Sequence, residues 1–281
     1  MDYKEKVYVG ALTWLGTVGE RHYVSQMRSV LAVYELGSRY AGYYTENSDY
    51  NYMVVYMPSP YDLMYPTTIH KQETEIDGNK VEVKYMSIVE YIHRIEEGDL
   101  EALQMLNAKD SQRLFSEVTE TVDNKHTRLV NYMKELEIER EKFTYLAPEK
   151  LFREINGRIK SGEARMDKAL EKGNTAEAVK CAILIRYFMD LLHVLENGEP
   201  IREGLTFSPM VSEYIRDFRA NSQSGYAEIF IWSVESLLKE DRQAILNNLK
   251  NRELSDASAR ALRYHALTGR LLNVLLGGYY D

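Results

Sequence analysis

The period of the apolar pattern changes near residue 108, and no other feature of the 281-residue chain limits its fold as much. Before that point, short β-favouring runs alternate with helical ones. From about residue 110 onward strand signals nearly vanish, and apolar residues recur at helical spacing. A sheet must bury a face and a helix must bury a stripe, and they satisfy each other by packing in layers. The order therefore predicts an α+β protein, with an α/β unit over 1–108 and an all-helical domain over 109–281.

Within the first unit the punctuation is local. Val30-Leu31-Ala32-Val33-Tyr34-Glu35-Leu36 favours a strand and ends at Gly37. Tyr50 to Met57 is a second apolar run, stopped by Pro58-Ser59-Pro60, because prolines fit poorly inside a ladder. Gln72 to Tyr85 reads as a hairpin turning at Asp77-Gly78-Asn79. Ser87 with Glu90 has capping-box spacing, and Ile88, Ile92 and Ile95 mark one helical face that Gly98 ends. Asp99 then opens a short helix bearing Leu100, Leu103 and Leu106. Helical stretches are expected over 111–143, 149–171, 175–196, 209–219, 226–250 and 255–276, the last opened by Ser255.

Composition excludes several classes. A net charge of −8 argues against broad, charge-driven nucleic-acid binding. The single Cys181 rules out an internal disulfide framework and sits in an apolar helical run as a packing residue. No signal peptide or membrane-length apolar run is present, so a cytoplasmic protein with no membrane partner is expected. The 6 histidines show no metal-ligand spacing, and no Walker, dinucleotide-binding, zinc-protease or hydrolase-elbow motif occurs. Of the 22 tyrosines, eight cluster over 40–65; they read chiefly as strand and loop residues with wet hydroxyls, and some could stack on a base.

The stretch from Leu36 to Asn51 carries chemistry. A β-like run ends in Gly37-Ser38, a loop or short helix follows, and Ser48-Asp49 opens the next strand. Alternation puts Asp49 and Asn51 on one strand face, about 6–7 Å apart. Glu82 lies on the opposite face of its strand from Val81 and Val83. If the two strands are neighbours in register, Asp49, Asn51 and Glu82 converge. Oxygen ligands so grouped suit Mg²⁺ shared with phosphates and water, and two such ions can activate an attacking oxygen and stabilise a leaving one. Gly37 lets backbone approach a triphosphate closely, and Ser38 and nearby N–H groups can donate to it. Arg39 could meet a γ-phosphate or pair with Glu46; Lys84 could neutralise phosphate or pair with Glu82.

These residues resemble the Gly-Ser…Ser-Asp-x-Asp signature of the DNA polymerase β-type nucleotidyltransferase superfamily. They are similar, more narrowly, to a branch described as predicted nucleotidyltransferases of bacteria and their viruses. The likeness rests on GSRYAG, SDYN, VVYM and Pro58-Ser59-Pro60-Tyr61-Asp62-Leu63, and continues in KVEVKYMSIVEYIHRIEEGDLEALQML. It implies a small mixed-sheet nucleotidyltransferase core and transfer of NMP from an NTP to an acceptor that is a nucleic acid, protein or small molecule. Asp49 matches the first metal-binding aspartate, position 51 the second and Glu82 the third acid. Mg²⁺ or Mn²⁺ would sit on Asp49 and Glu82, and the nucleotide on Gly37, Ser38, Arg39 and Lys84. The chain departs from the pattern at Asn51, which brings a neutral carbonyl where a carboxylate is expected, and at Glu82, one methylene longer than the usual aspartate. That departure leaves a second expectation open, a catalytically inactive relative that binds a nucleotide or a protein.

Overall fold

Asp77 and Gly78 both adopt positive φ, 52° and 79°, which matches the twist of a two-residue hairpin turn. The flanking strands, β3 (His70–Ile76) and β4 (Asn79–Ser87), pair from Ile76↔Asn79 outward. The computed structural model describes residues 2–21, 29–44, 48–58, 70–116, 125–197, 199, 201, 217, 225–252 and 267–275. Among these, strands β1 (Val30–Leu36), β2 (Tyr50–Tyr56) and β5 (Arg113–Phe115) complete a sheet of order β3-β4-β2-β1-β5. β2 runs parallel to β4, and the other described pairs are antiparallel.

Alternation divides the sheet into two buried faces. Helix α1 (Tyr3–Arg21) lays Val7, Ala11 and Leu15 on Val33, Tyr52, Val54, Val81, Val83 and Tyr85. On the other face Tyr34, Met53, Val55 and Met86 join a core that runs on through the helices. After β1 a single turn, α2 (Gly37–Tyr40), reverses the chain. After β4, α3 (Ile88–Glu96) begins where the Glu90 N–H donates to the Ser87 hydroxyl at 3.1 Å. Helix α4 (Leu100–Leu106) begins where the Ala102 N–H donates to the Asp99 carboxylate at 2.9 Å. Between them Gly98 takes φ +70° with the Ala147 carbonyl against it, a backbone approach that leaves no room for a β-carbon.

The helices beyond are α5 (Lys125–Ile138), α6 (Pro148–Glu171), α7 (Thr175–Glu196), α8 (Gly225–Glu240) and α9 (Arg242–Arg252), with residues 267–275 also helical. Helices α6 and α7 form a hairpin through Gly173 and Asn174, and the Asn174 side chain caps α7 by accepting from the Glu177 N–H at 3.1 Å. Cys181 is buried within α7, where burial pushes its thiol pKa up, as a packing residue. No helix among the described residues is long and apolar enough to cross a membrane.

The architecture is α+β, a mixed five-stranded sheet followed by helices. Three elements differ from the expectation drawn from sequence. Residues 111–143 are not continuous helix: a 3₁₀ turn (Asp110–Gln112) leads into β5, which exists because the β1 edge offers it a ladder. The sheet thus takes a strand from beyond residue 108. Residues 226–250 fall into α8 and α9, with a break at Asp241, whose carbonyl accepts from the Ile245 N–H at the start of α9; aspartate favours that position. Helix α1 carries no signal that was read from sequence. The expected helix over 209–219, the Ser255 start and the segment 59–69 lie outside the described residues, apart from a helical residue at 217.

Candidate functional site

The end of β1 brings Leu36 level with Asn51 on β2, and Asn51 is level with Glu82 on β4. Because β2 and β4 are parallel, paired residues face the same way, so the Asn51 and Glu82 side chains share the sheet face that carries Met53, Val55 and Met86. Gly37 follows at φ +69°, and a β-carbon there would stand 3.1 Å from Asn51 Nδ2. The bend and the Asn51 amide are therefore in contact. Asp49, exposed just before β2, completes the group.

Asp49, Asn51 and Glu82 form part of the wall of one groove of about 540 Å³. The rest comes from the β3–β4 hairpin: Glu73, Thr74, Glu75, Lys80 and Val81. The convergence predicted for residues 49, 51 and 82 is present. The residues proposed to hold a nucleotide are placed differently. Gly37 touches Asn51, but neither it nor Ser38 lines the groove. The Arg39 guanidinium stacks 3.5 Å over Tyr50 and 4.7 Å from the Tyr44 ring, and donates to the Ser48 carbonyl at 3.4 Å. Tyr50 in turn stacks on Tyr3 of α1 at 4.2 Å, so Arg39 is directed to the α1 side of the sheet. Consistent with that placement, burial pushes the Glu35 carboxyl up while Arg39 opposes it. The alternative partner Glu46 lies outside the described residues. Lys84 shares the Glu82 face but donates to Glu101 of α4 at 2.8 Å, so its partner is neither a groove atom nor Glu82.

Lys71 is the group that sequence reasoning missed. Its ammonium lies 2.8 Å from Glu82 and 3.2 Å from Glu73, and these two acids, Glu82 first, hold its pKa above the usual lysine value. The signal was available. A two-residue turn at Asp77-Gly78 pairs 76 with 79, and counting outward puts Glu73 opposite Glu82 and Lys71 opposite Lys84.

Among the described residues no three His, Cys, Asp or Glu side chains gather closely enough to hold a metal ion by themselves. The donor set is two carboxylates, Asp49 and Glu82, with the Asn51 amide oxygen between them in sequence. That chemistry suits one hard divalent cation that also takes phosphate oxygens and water. It does not suit two, because Asn51 brings no charge and Glu82 already faces Lys71.

No protein-family model matches the chain, and no curated protein matches it in sequence. Among solved structures it is similar to the crystal structure of a nucleotidyltransferase-like protein from Exiguobacterium sibiricum, with 12% identity over 92% of this chain and 89% of that one, at a TM-score of 0.30. The likeness is loose, and the chemistry of the groove has to come from this chain's own residues.

Proposed function

We propose that the groove binds a nucleoside triphosphate and that the chain is a nucleotidyltransferase, moving NMP to an acceptor hydroxyl with release of pyrophosphate. The observation that carries this reading is the meeting of Asp49, Asn51 and Glu82 in one groove with Gly37 against Asn51. Asp49 and Glu82 would hold one Mg²⁺ or Mn²⁺. When bound, such a cation supplies charge neutralisation on the phosphates and polarises the phosphoryl group under attack. The protein's own part is orientation. Asn51 presents a carboxamide that can donate to a phosphate oxygen or accept from the acceptor hydroxyl, and the strand residues that follow it on the same face, Met53 and Val55, are buried. Lys80, in the groove wall opposite Glu75, adds a positive charge.

A second reading is favoured by specific features. Asn51 in place of an acid and the pairing of Glu82 with Lys71 suit a protein that binds the nucleotide without turning it over. One experiment separates the readings. Labelled NTPs are incubated with the protein, Mg²⁺ or Mn²⁺ and cell extract, using the parent, Asp49→Ala and Asn51→Asp. Transfer by the parent that Asp49→Ala abolishes supports the transferase. Turnover gained only in Asn51→Asp supports a binding protein one charge short of activity. If no variant transfers label and none binds an NTP, the groove is not a nucleotide site.

A further inference from the structure

Across the β3–β4 ladder, like charges stand opposite each other: Lys71 faces Lys84 and Glu73 faces Glu82. Directly opposed like charges weaken a sheet pair, and the side chains here relieve it by reaching elsewhere. Lys84 turns to Glu101 on α4. Lys71 reaches along the strand to Glu82, with Glu73 also within 3.2 Å. Its side chain is 50% exposed against 27% for Glu82, so the ammonium has solvent beside it and room to swing. The groove next to it carries four carboxylates, Asp49, Glu73, Glu75 and Glu82, and one lysine in its wall, Lys80. Even with Lys71 counted, acids exceed cations by two, an electrostatic setting that repels a bare triphosphate and accepts one that arrives with a divalent cation.

We infer that Lys71 has two partners in turn: it is the counterion of Glu82 and Glu73 in the structure, and a phosphate ligand once a divalent cation and a triphosphate occupy the groove. The inference rests on the nucleotide reading given above. A cation on Glu82 displaces the ammonium, because both compete for the same carboxylate oxygen. The released ammonium stays on the edge strand, beside the groove, where the anionic partner nearest in charge is the triphosphate itself. Lys71 is thus a specificity-determining residue that favours the cation–triphosphate complex over either component alone.

The two roles predict effects of opposite sign from one substitution, which a purely structural lysine would not give. Binding of Mn²⁺ alone is read by electron paramagnetic resonance. Binding of inorganic triphosphate and of ATP, each with saturating Mn²⁺, is read by calorimetry. Lys71→Met removes the competitor, so Mn²⁺ alone should bind about twofold to fivefold more tightly, the range expected for losing a half-exposed ion pair. It also removes a charge-assisted phosphate contact, so Mn²⁺–triphosphate and Mn²⁺–ATP should bind about tenfold more weakly. Lys71→Arg should keep both constants near the parent's. If the parent binds Mn²⁺–triphosphate and Lys71→Met shifts both constants in one direction, or neither, this inference alone is overturned. If the parent binds neither triphosphate nor ATP, the nucleotide reading and this inference fall together.

Discussion

Replacing Gly37 by alanine tests the contact between the bend after β1 and Asn51 of the groove wall. At φ +69° a β-carbon meets the following carbonyl, a cost of about 1–2 kcal/mol for an L-residue in the left-handed region. The same β-carbon would stand 3.1 Å from Asn51 Nδ2, too close for comfort but against the end of a movable side chain, so about 0.5–1 kcal/mol more is expected for an off-rotamer shift. Gly78 is the internal reference. It has φ +79° and nothing within 4 Å of its ideal β-carbon, so Gly78→Ala should show the backbone term alone. In thermal unfolding followed by circular dichroism, Gly37→Ala should lower Tm by about 3–12 °C, using about 2–4 °C per kcal/mol for a chain of this class. Gly78→Ala should lower it less. In an Asn51→Ala background the excess cost of Gly37→Ala should disappear, because the crowded atom is gone. If Gly37→Ala costs the same with and without Asn51, residues 37 and 51 are not in contact and the bend does not abut the groove wall as described.

Two further perturbations report on the helical side. Burial pushes the Glu137 carboxyl up from its ordinary 4.5 to about 8, against the opposing pull of Arg113, 3.0 Å away. A raised folded-state pKa means that the unfolded chain releases this proton first, so the contribution is intact below pH 4.5 and is lost as pH rises toward 8. Denaturant titrations should show the parent losing stability across that window by up to about 1.4 kcal/mol per pH unit, and Glu137→Gln should flatten the slope; an unchanged slope in the variant removes Glu137 as its source. Gly98→Ala should be far more damaging than Gly37→Ala, by about 2–5 kcal/mol in all, since its β-carbon would stand 2.7 Å from the backbone carbonyl of Ala147, which cannot swing aside. A variant as stable as the parent in the same titration would show that the α3–α4 turn and residue 147 do not meet.

What was legible in the sequence was written within a few residues of where it acts. The Asp77-Gly78 turn, the Ser87 and Asp99 caps and the Gly98 stop each depend on a residue and its neighbours up to four positions away, and each is present. Helix α1 was hidden because its buried residues Val7, Ala11 and Leu15 are mixed with exposed Val9 and Leu12, which blurs the stripe. Strand β5 has three residues, too few for alternation to register, and forms by pairing with β1. The site divides in the same way. Residues 49, 51 and 82 could be brought together from strand alternation and motif, but Arg39 and Lys84 could not be placed, since their partners come from α1 through the Tyr3–Tyr50 stack and from α4 through Glu101. A long cation goes to whichever acid or ring the tertiary structure offers, and its own sequence context does not name that partner.

The hairpin adds a reason to treat the groove as more than a gap at the end of a sheet. An edge hairpin selected only for stability would set Lys71 opposite an acid and Glu73 opposite a base, since such pairs gain about 0.2–1 kcal/mol each and like pairs lose a similar amount. Here the turn fixes the register with Glu75 opposite Lys80, a favourable pair, and then Glu73 opposite Glu82 and Lys71 opposite Lys84, two unfavourable ones. Exchanging the residues at 71 and 73 would place a lysine opposite Glu82 and a glutamate opposite Lys84, and would remove the conflict without altering the hydrophobic pattern. The observed arrangement instead keeps a second carboxylate directly across from Glu82 and leaves the lysine at arm's length, able to reach the pair or release it. Local rules broken without compensation in packing are characteristic of sites whose charges serve something other than the fold, and the acids concerned are those that line the groove with Asp49 and Asn51.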